Sequence, residues 1–169
     1  MKKFMAASAL SLAFSSHALA QSNVASPAMF RRDAGAGSPY WLGTRDSSGA
    51  YLDGGKTYKL IVPLPLPAPL FWSVKIYDPD NRSEIQTEQG KAALRSLFEL
   101  KDASGSTAAL YFGPVAPADQ ESCWIKTTPG KGWFTYMRLC GPDHAALEGT
   151  WKPGDIEPMP ESRPRSGQR

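Results

Sequence analysis

Two histidines and two cysteines are all that this 169-residue chain holds of either type. His17 lies in a leader-like N-terminus, which leaves His144 to serve any imidazole chemistry. A multi-histidine metal centre inside one chain is therefore excluded. A Ser-His-Asp or Cys-His site would have to use that one residue, which stands in the loop-like run Gly141-Pro-Asp-His-Ala-Ala and reads as a solvated histidine. Dense basic runs are also missing, apart from Arg163, Arg165 and Arg169 near the end, so the balance is not that of a nucleic-acid-binding protein. No apolar stretch is long enough for a membrane anchor. The phosphate-loop pattern is absent too: Gly130-Lys131-Gly132 is followed by Trp133 where Ser or Thr is needed, so these glycines read as a turn.

What the chain does have begins with an export signal. Lys2 and Lys3 precede an apolar or small run from Phe4 to Phe14, and Ala18-Leu19-Ala20 supplies small residues for cleavage before Gln21. This order predicts a signal peptide over 1–20 and a periplasmic or secreted protein. Removing Lys2 and Lys3 takes the formal charge from +3 to +1. Residues 21–38 show no apolar periodicity and read as a linker. Residues 39–157 suffice for one domain with a real core. The Pro-, Ser- and Arg-rich residues 158–169 read as a disordered tail.

Fifteen glycines and fifteen prolines demand many turns, so the expected class is all-β, a jelly-roll-like two-sheet sandwich with at most one short helix. Tyr40–Arg45 is a first short strand. Tyr58, Leu60 and Val62 alternate with Lys59 and Ile61 as in a half-buried strand. Four prolines between Pro63 and Pro69 cannot sit inside a sheet and predict an extended crossover between sheets. Phe71–Tyr77 is a nearly continuous apolar strand of central type, ended by a turn at Asp78–Asn81. Leu94, Leu97 and Phe98 have helical spacing, which leaves 90–100 open. Ala108–Gly113 is a further strand. Cys123–Thr128 and Trp133–Cys140 read as a hairpin about Pro129–Gly132, and Gly149–Trp151 as the start of a last edge segment.

Several separated motifs carry a resemblance: Leu52-Asp-Gly-Gly-Lys-Thr-Tyr-Lys-Leu60, Phe71-Trp-Ser-Val-Lys-Ile-Tyr-Asp78, Asn81-Arg-Ser83, Tyr111-Phe-Gly-Pro114, Trp124-Ile-Lys-Thr-Thr-Pro-Gly-Lys-Gly-Trp-Phe134, Arg138 and Gly149-Thr-Trp151. Together they resemble the C-terminal β domain of two-domain bacterial proteins, domain-of-unknown-function family 1214. The resemblance implies a β-sandwich and a bent, partly extended segment near 90–100. In such proteins a family 1254 domain usually comes first, and this sequence shows none. That implies self-association or a separately encoded partner domain.

The family pattern has residues matching Asp78, Arg82 and Arg138. Arg138 lies between Met137 and Leu139 on an apolar strand, so a pair with a carboxylate such as Asp78 is one expectation. Anion binding with Arg82 is the other. Trp124 and Lys126 join Asp78, Arg82 and Arg138 as ligand-binding candidates, since an outward tryptophan on a sandwich suits sugar or peptide stacking. Asp78, Asp80 and Glu84 form the nearest carboxylate cluster, but their spacing is not that of a Ca²⁺ loop, so neither metal nor cofactor is expected. A two-residue turn at Lys131-Gly132 would set Cys123 opposite Cys140. With export to an oxidising compartment, this predicts a cross-strand disulfide. Both cysteines depart from the resembled pattern, which has a polar residue before the Trp-Ile-Lys-Thr motif and an aromatic two residues after the arginine. Two functions stand open: an exported binding or assembly module without catalysis, or a small hydrolase or sugar-modifying enzyme built on Asp78, Asp80, Glu84, Arg82 and Arg138.

Overall fold

The computed structural model describes residues 23–25 and 38–160, so the signal expectation, most of the linker and the tail beyond Pro160 lie outside the described residues, while Pro158 of the expected tail belongs to the last strand. Among the described residues nine strands run in chain order: β1 Asn23–Ala25, β2 Tyr40–Gly43, β3 Tyr58–Pro63, β4 Phe71–Tyr77, β5 Ala93–Arg95, β6 Thr107–Gly113, β7 Trp124–Lys126, β8 Phe134–Cys140 and β9 Ile156–Pro158. One short helix, α1 His144–Leu147, precedes β9. One sheet has the order β1-β2-β8-β4-β5 and the other β7-β6-β3-β9. This is the two-sheet, all-β sandwich that the glycine and proline content predicts.

Strand alternation builds the core between the sheets. Tyr58, Leu60 and Val62 of β3 and Ala108, Leu110 and Phe112 of β6 face inward from the four-stranded sheet. Trp41, Val74, Ile76, Met137 and Leu139 face them from the five-stranded sheet. Each fully buried Leu, Ile, Val or Phe contributes about 1.5–3 kcal/mol relative to exposure. The proline run crosses from β3 in one sheet to β4 in the other, as its missing donors require. The 90–100 segment is extended, not helical: Ala93–Arg95 pairs with β4, and a chain of turns follows. Leu94 is buried while Leu97 and Phe98 are exposed, so the 3–4 spacing there never formed one face.

Two expectations fail. The last strand is Ile156–Pro158, not a segment starting at Gly149–Trp151. Residues 149–151 are instead a turn and bend that follow the one-turn helix α1, which is capped by Asp143, whose carboxylate accepts from the Ala145 and Ala146 amides. The hairpin is also absent. β7 lies parallel to β6, with Tyr111 opposite Trp124 and Gly113 opposite Lys126. β8 lies in the other sheet between β2 and β4. The linking loop is held not by its own strands but by the Leu52–Gly55 turn. Gly54 N donates to Lys131 O (2.8 Å), Thr127 Oγ1 donates to Gly54 O (2.7 Å), and Trp133 N donates to Leu52 O (3.3 Å). These bonds pull Pro129–Gly132 across the end of the sandwich and divide the two halves between sheets.

The disulfide expectation falls with the hairpin. Cys123 ends a 3₁₀ turn (Glu121–Cys123) beside the four-stranded sheet, and Cys140 stands opposite Phe71 in the five-stranded one. Both are free thiols. Cys123 Sγ–H donates to Gln120 Oε1 at 3.2 Å, and burial raises its pKa above the ordinary value. Cys140 Sγ accepts from Ser38 Oγ.

Candidate functional site

The outward face of the five-stranded sheet is unusual in carrying rings instead of short polar groups. Because β8 alternates, Thr135, Met137 and Leu139 go inward, and Phe134, Tyr136 and Arg138 go to solvent. Register then sets Arg138 between Tyr40 and Ser73, Tyr136 between Leu42 and Lys75, and Phe134 beside Tyr77. Tyr77 and Phe134 stack at 5.4 Å between ring centroids, with an 18° angle between their planes. Tyr136 meets Tyr77 at 5.7 Å, Phe134 at 5.6 Å and Tyr40 at 6.0 Å, each edge to face. Such contacts lock the rings together and add about 0.5–1.5 kcal/mol per pair beyond area burial. Burial raises the Tyr77 pKa above its ordinary value, outweighing the opposite pull of Lys75, so the phenol stays neutral.

Two hollows share this face. A hollow of about 630 Å³ lies over Tyr40, Leu42, Tyr77, Phe134 and Tyr136, with Pro79 and Arg82 at its lip. A second, of about 290 Å³, continues over Tyr40, Tyr77 and Tyr136 to Lys75, Arg95 and Arg138. Neither lining contains a carboxylate. Lys75 pairs with Glu84 and Arg95 pairs with Glu99, both acids lying outside the linings. Among the described residues, Arg82 and Arg138 have no carboxylate partner. Arg82 sits in the left-handed region at φ 59°, held there by its amide donating to Asp78 O at 2.9 Å. A non-glycine residue in that region stores about 1–2 kcal/mol.

The five candidate residues do not form one site. Arg82 and Arg138 both border the aromatic face, at different hollows. The Arg138–Asp78 pair does not exist: Arg138 is exposed, its Nη2 donates to Ser38 Oγ at 3.2 Å, and its guanidinium lies 5.7 Å from the Tyr40 ring centroid. An arginine between two buried neighbours on a strand points away from them, so it needed no buried partner. Asp78 instead lines a separate hollow with Glu84. Trp124 and Lys126 stand on β7 in the opposite sheet, where Trp124 Nε1 donates to Gly113 O at 3.0 Å and Lys126 pairs with Glu88. Trp133, the other flanking tryptophan, is buried. Asp80 is exposed and lines neither the aromatic hollows nor that of Asp78, so the carboxylates and arginines of the enzyme reading are divided among sites. His144 is exposed on α1, and among the described residues no three His, Cys, Asp or Glu side chains are grouped to hold a metal.

The four rings were missed by sequence reasoning. The signal that would have found them is parity: in Phe134-Thr-Tyr-Met-Arg138, aromatics share the register of the charged residue, not of the aliphatic ones.

Fold and face together define a small two-sheet β-sandwich with a solvent-facing aromatic and cationic surface. The family model described as "Protein of unknown function (DUF1214)" matches residues 37–144, and the chain belongs to that family. Its fold is similar to the crystal structure of the VPA0106 protein from Vibrio parahaemolyticus, with a TM-score of 0.61 and 21% identity. That match covers 73% of this chain and 31% of the Vibrio chain, so the shared sandwich is under a third of the Vibrio protein's length. No curated protein gives a significant match.

Proposed function

We propose that this protein is an exported assembly module without a catalytic step of its own, which seats a separately encoded, acidic partner domain on the outer face of the five-stranded sheet. The observation that carries the reading is the cluster of Tyr40, Tyr77, Phe134 and Tyr136, bracketed by two arginines that have no carboxylate partner among the described residues. Tyrosine, phenylalanine and arginine are the side chains enriched at protein interfaces, and rings already fixed by their neighbours lose little entropy on docking. The acid-free linings favour a separate, acidic partner over self-association. A two-fold dimer through this face would set one cationic patch against its copy. An acidic partner would satisfy Arg82 and Arg138 and steer association.

A photo-crosslinking residue placed at Leu42, inside the larger hollow, tests the reading in the source cell. The expected result is one adduct with a different, acidic protein, lost in Tyr136→Ala and Arg138→Glu and weakened by salt. Light scattering of the purified chain should show a monomer. An adduct only with copies of the chain, or a concentration-dependent dimer that Tyr136→Ala abolishes, would overturn it. Export is checked separately: N-terminal sequencing of periplasmic protein should begin at Gln21, and cytoplasmic protein with Met1 intact would refute that part.

A further inference from the structure

The aromatic face leaves a second, more enclosed site unexplained. A hollow of about 180 Å³ opens between the turn after β4 and the loop joining β7 to β8, the segments that hold Asn81-Arg-Ser83 and Thr127-Thr-Pro-Gly-Lys-Gly-Trp133. Asp78, Glu84 and Gln86 wall one side, and Thr128, Lys131 and Trp133 the other. The hollow reaches the interior, since Trp133 is only 4% exposed.

Among the described residues two buried side-chain polar atoms lack a hydrogen-bond partner, Thr87 Oγ1 and Trp133 Nε1. Trp133 is also one of the residues that line the hollow. The Trp133 ring is held by Tyr58 at 5.7 Å and Phe112 at 5.0 Å, so it is not free to turn toward another acceptor. A buried N–H without an acceptor carries the full desolvation cost of that donor. An occupant of the hollow is the available source of an acceptor.

The walls say what kind of occupant. Glu84 is already neutralised by Lys75, which leaves Asp78 against Lys131 and a nearly balanced charge. A carboxylate ligand would meet Asp78, and an ammonium would meet Lys131. Carboxylate acceptors, an ammonium donor, a hydroxyl and an amide stand around one small space. The group that answers both donors and acceptors is the hydroxyl. The volume equals that of roughly six liquid waters, on the scale of one sugar ring. We propose that this hollow binds a neutral, polyhydroxylated ligand of monosaccharide size, one hydroxyl oxygen accepting the Trp133 indole N–H and others donating to Asp78. The site is independent of the docking face.

The test follows the indole N–H resonances by NMR while free glucose, galactose and mannose are titrated, with sodium acetate and glycine as charged comparators. Loss of one resonance in Trp133→Phe assigns the signal. Should that variant not fold, the surface variants Asp78→Asn and Gln86→Ala identify it through the response they weaken. The expected result is a saturable shift with at least one sugar, about tenfold weaker in Asp78→Asn, as loss of a hydrogen bond to a charged group requires. Arg138→Glu, on the docking face, should leave the titration unchanged. No saturable shift with any of the three sugars, or a response to acetate alone, overturns the proposal.

Discussion

Gly54→Ala is the sharpest perturbation of this fold. A Cβ built on Gly54 falls 2.2 Å from Thr128 O and 2.8 Å from Lys131 O, where ordinary contact begins at 3.4 Å. The neighbours are backbone, not flexible side-chain ends, so the 128–131 loop must retreat by about 1.2 Å. That movement stretches two hydrogen bonds beyond use, Gly54 N to Lys131 O at 2.8 Å and Thr127 Oγ1 to Gly54 O at 2.7 Å. At about 1 kcal/mol net each, with about 2 kcal/mol for overpacking, the expected loss is about 4 kcal/mol. For a domain of this size that lowers the melting temperature by roughly 15 °C. Circular dichroism on heating and in urea measures it. Gly130→Ala is the control: Gly130 has open space around its Cβ but φ +78°, so backbone strain of about 1–2 kcal/mol is its only cost. A Gly54→Ala variant no less stable than Gly130→Ala would refute the argument that the crossing loop is clamped at Gly54.

Arg82→Gly should raise stability by up to about 1 kcal/mol by relieving the left-handed backbone, while weakening partner docking, as denaturant melts and crosslinking would show. Cys123→Ser and Cys140→Ser should each shift stability by less than about 1 kcal/mol, and unfolded, unreduced protein should take up two alkyl groups by mass; a single intact disulfide would contradict this. The hydrogen-bonded Arg95 guanidinium holds the Glu99 carboxyl below its ordinary 4.5, so the linked stability is complete above that pH and is lost as pH falls through the lowered folded value. Glu99→Gln should therefore flatten the acid limb of the stability curve below 4.5.

Much of the fold was legible because it rests on local chemistry. Alternation at Tyr58, Leu60 and Val62 named the buried face of β3, and four prolines named a crossing. The errors arose where a local pattern has two tertiary outcomes. A Pro-Gly-Lys-Gly turn between two strand-like runs suits a hairpin, and it suits equally a crossing between sheets. What decides is a distant residue, Gly54, whose lack of a side chain lets the loop approach and hold. The candidate site was legible only in its charges. Arg82 and Arg138 were singled out, but the rings between them come from β2, β4 and β8, and only pairing register brings Tyr40, Tyr77 and Tyr136 together.

The crossing that replaces the hairpin also bears on function. In a hairpin, Trp133 would stand at a strand end beside a solvated turn, and its indole N–H would reach water. Carried across the sandwich instead, the ring is buried against Tyr58 and Phe112, and its N–H has no acceptor among the described residues. The same movement sets Thr128 and Lys131 opposite Asp78 and Glu84, and so closes the small hollow. It also frees β8 to lie between β2 and β4, where Tyr136 is flanked by the rings of Tyr40 and Tyr77. One topological choice, secured by a glycine and three hydrogen bonds, thus builds both the enclosed polar site and the open aromatic face. A variant that loosens the clamp should weaken both together, whereas Arg138→Glu should affect the face alone.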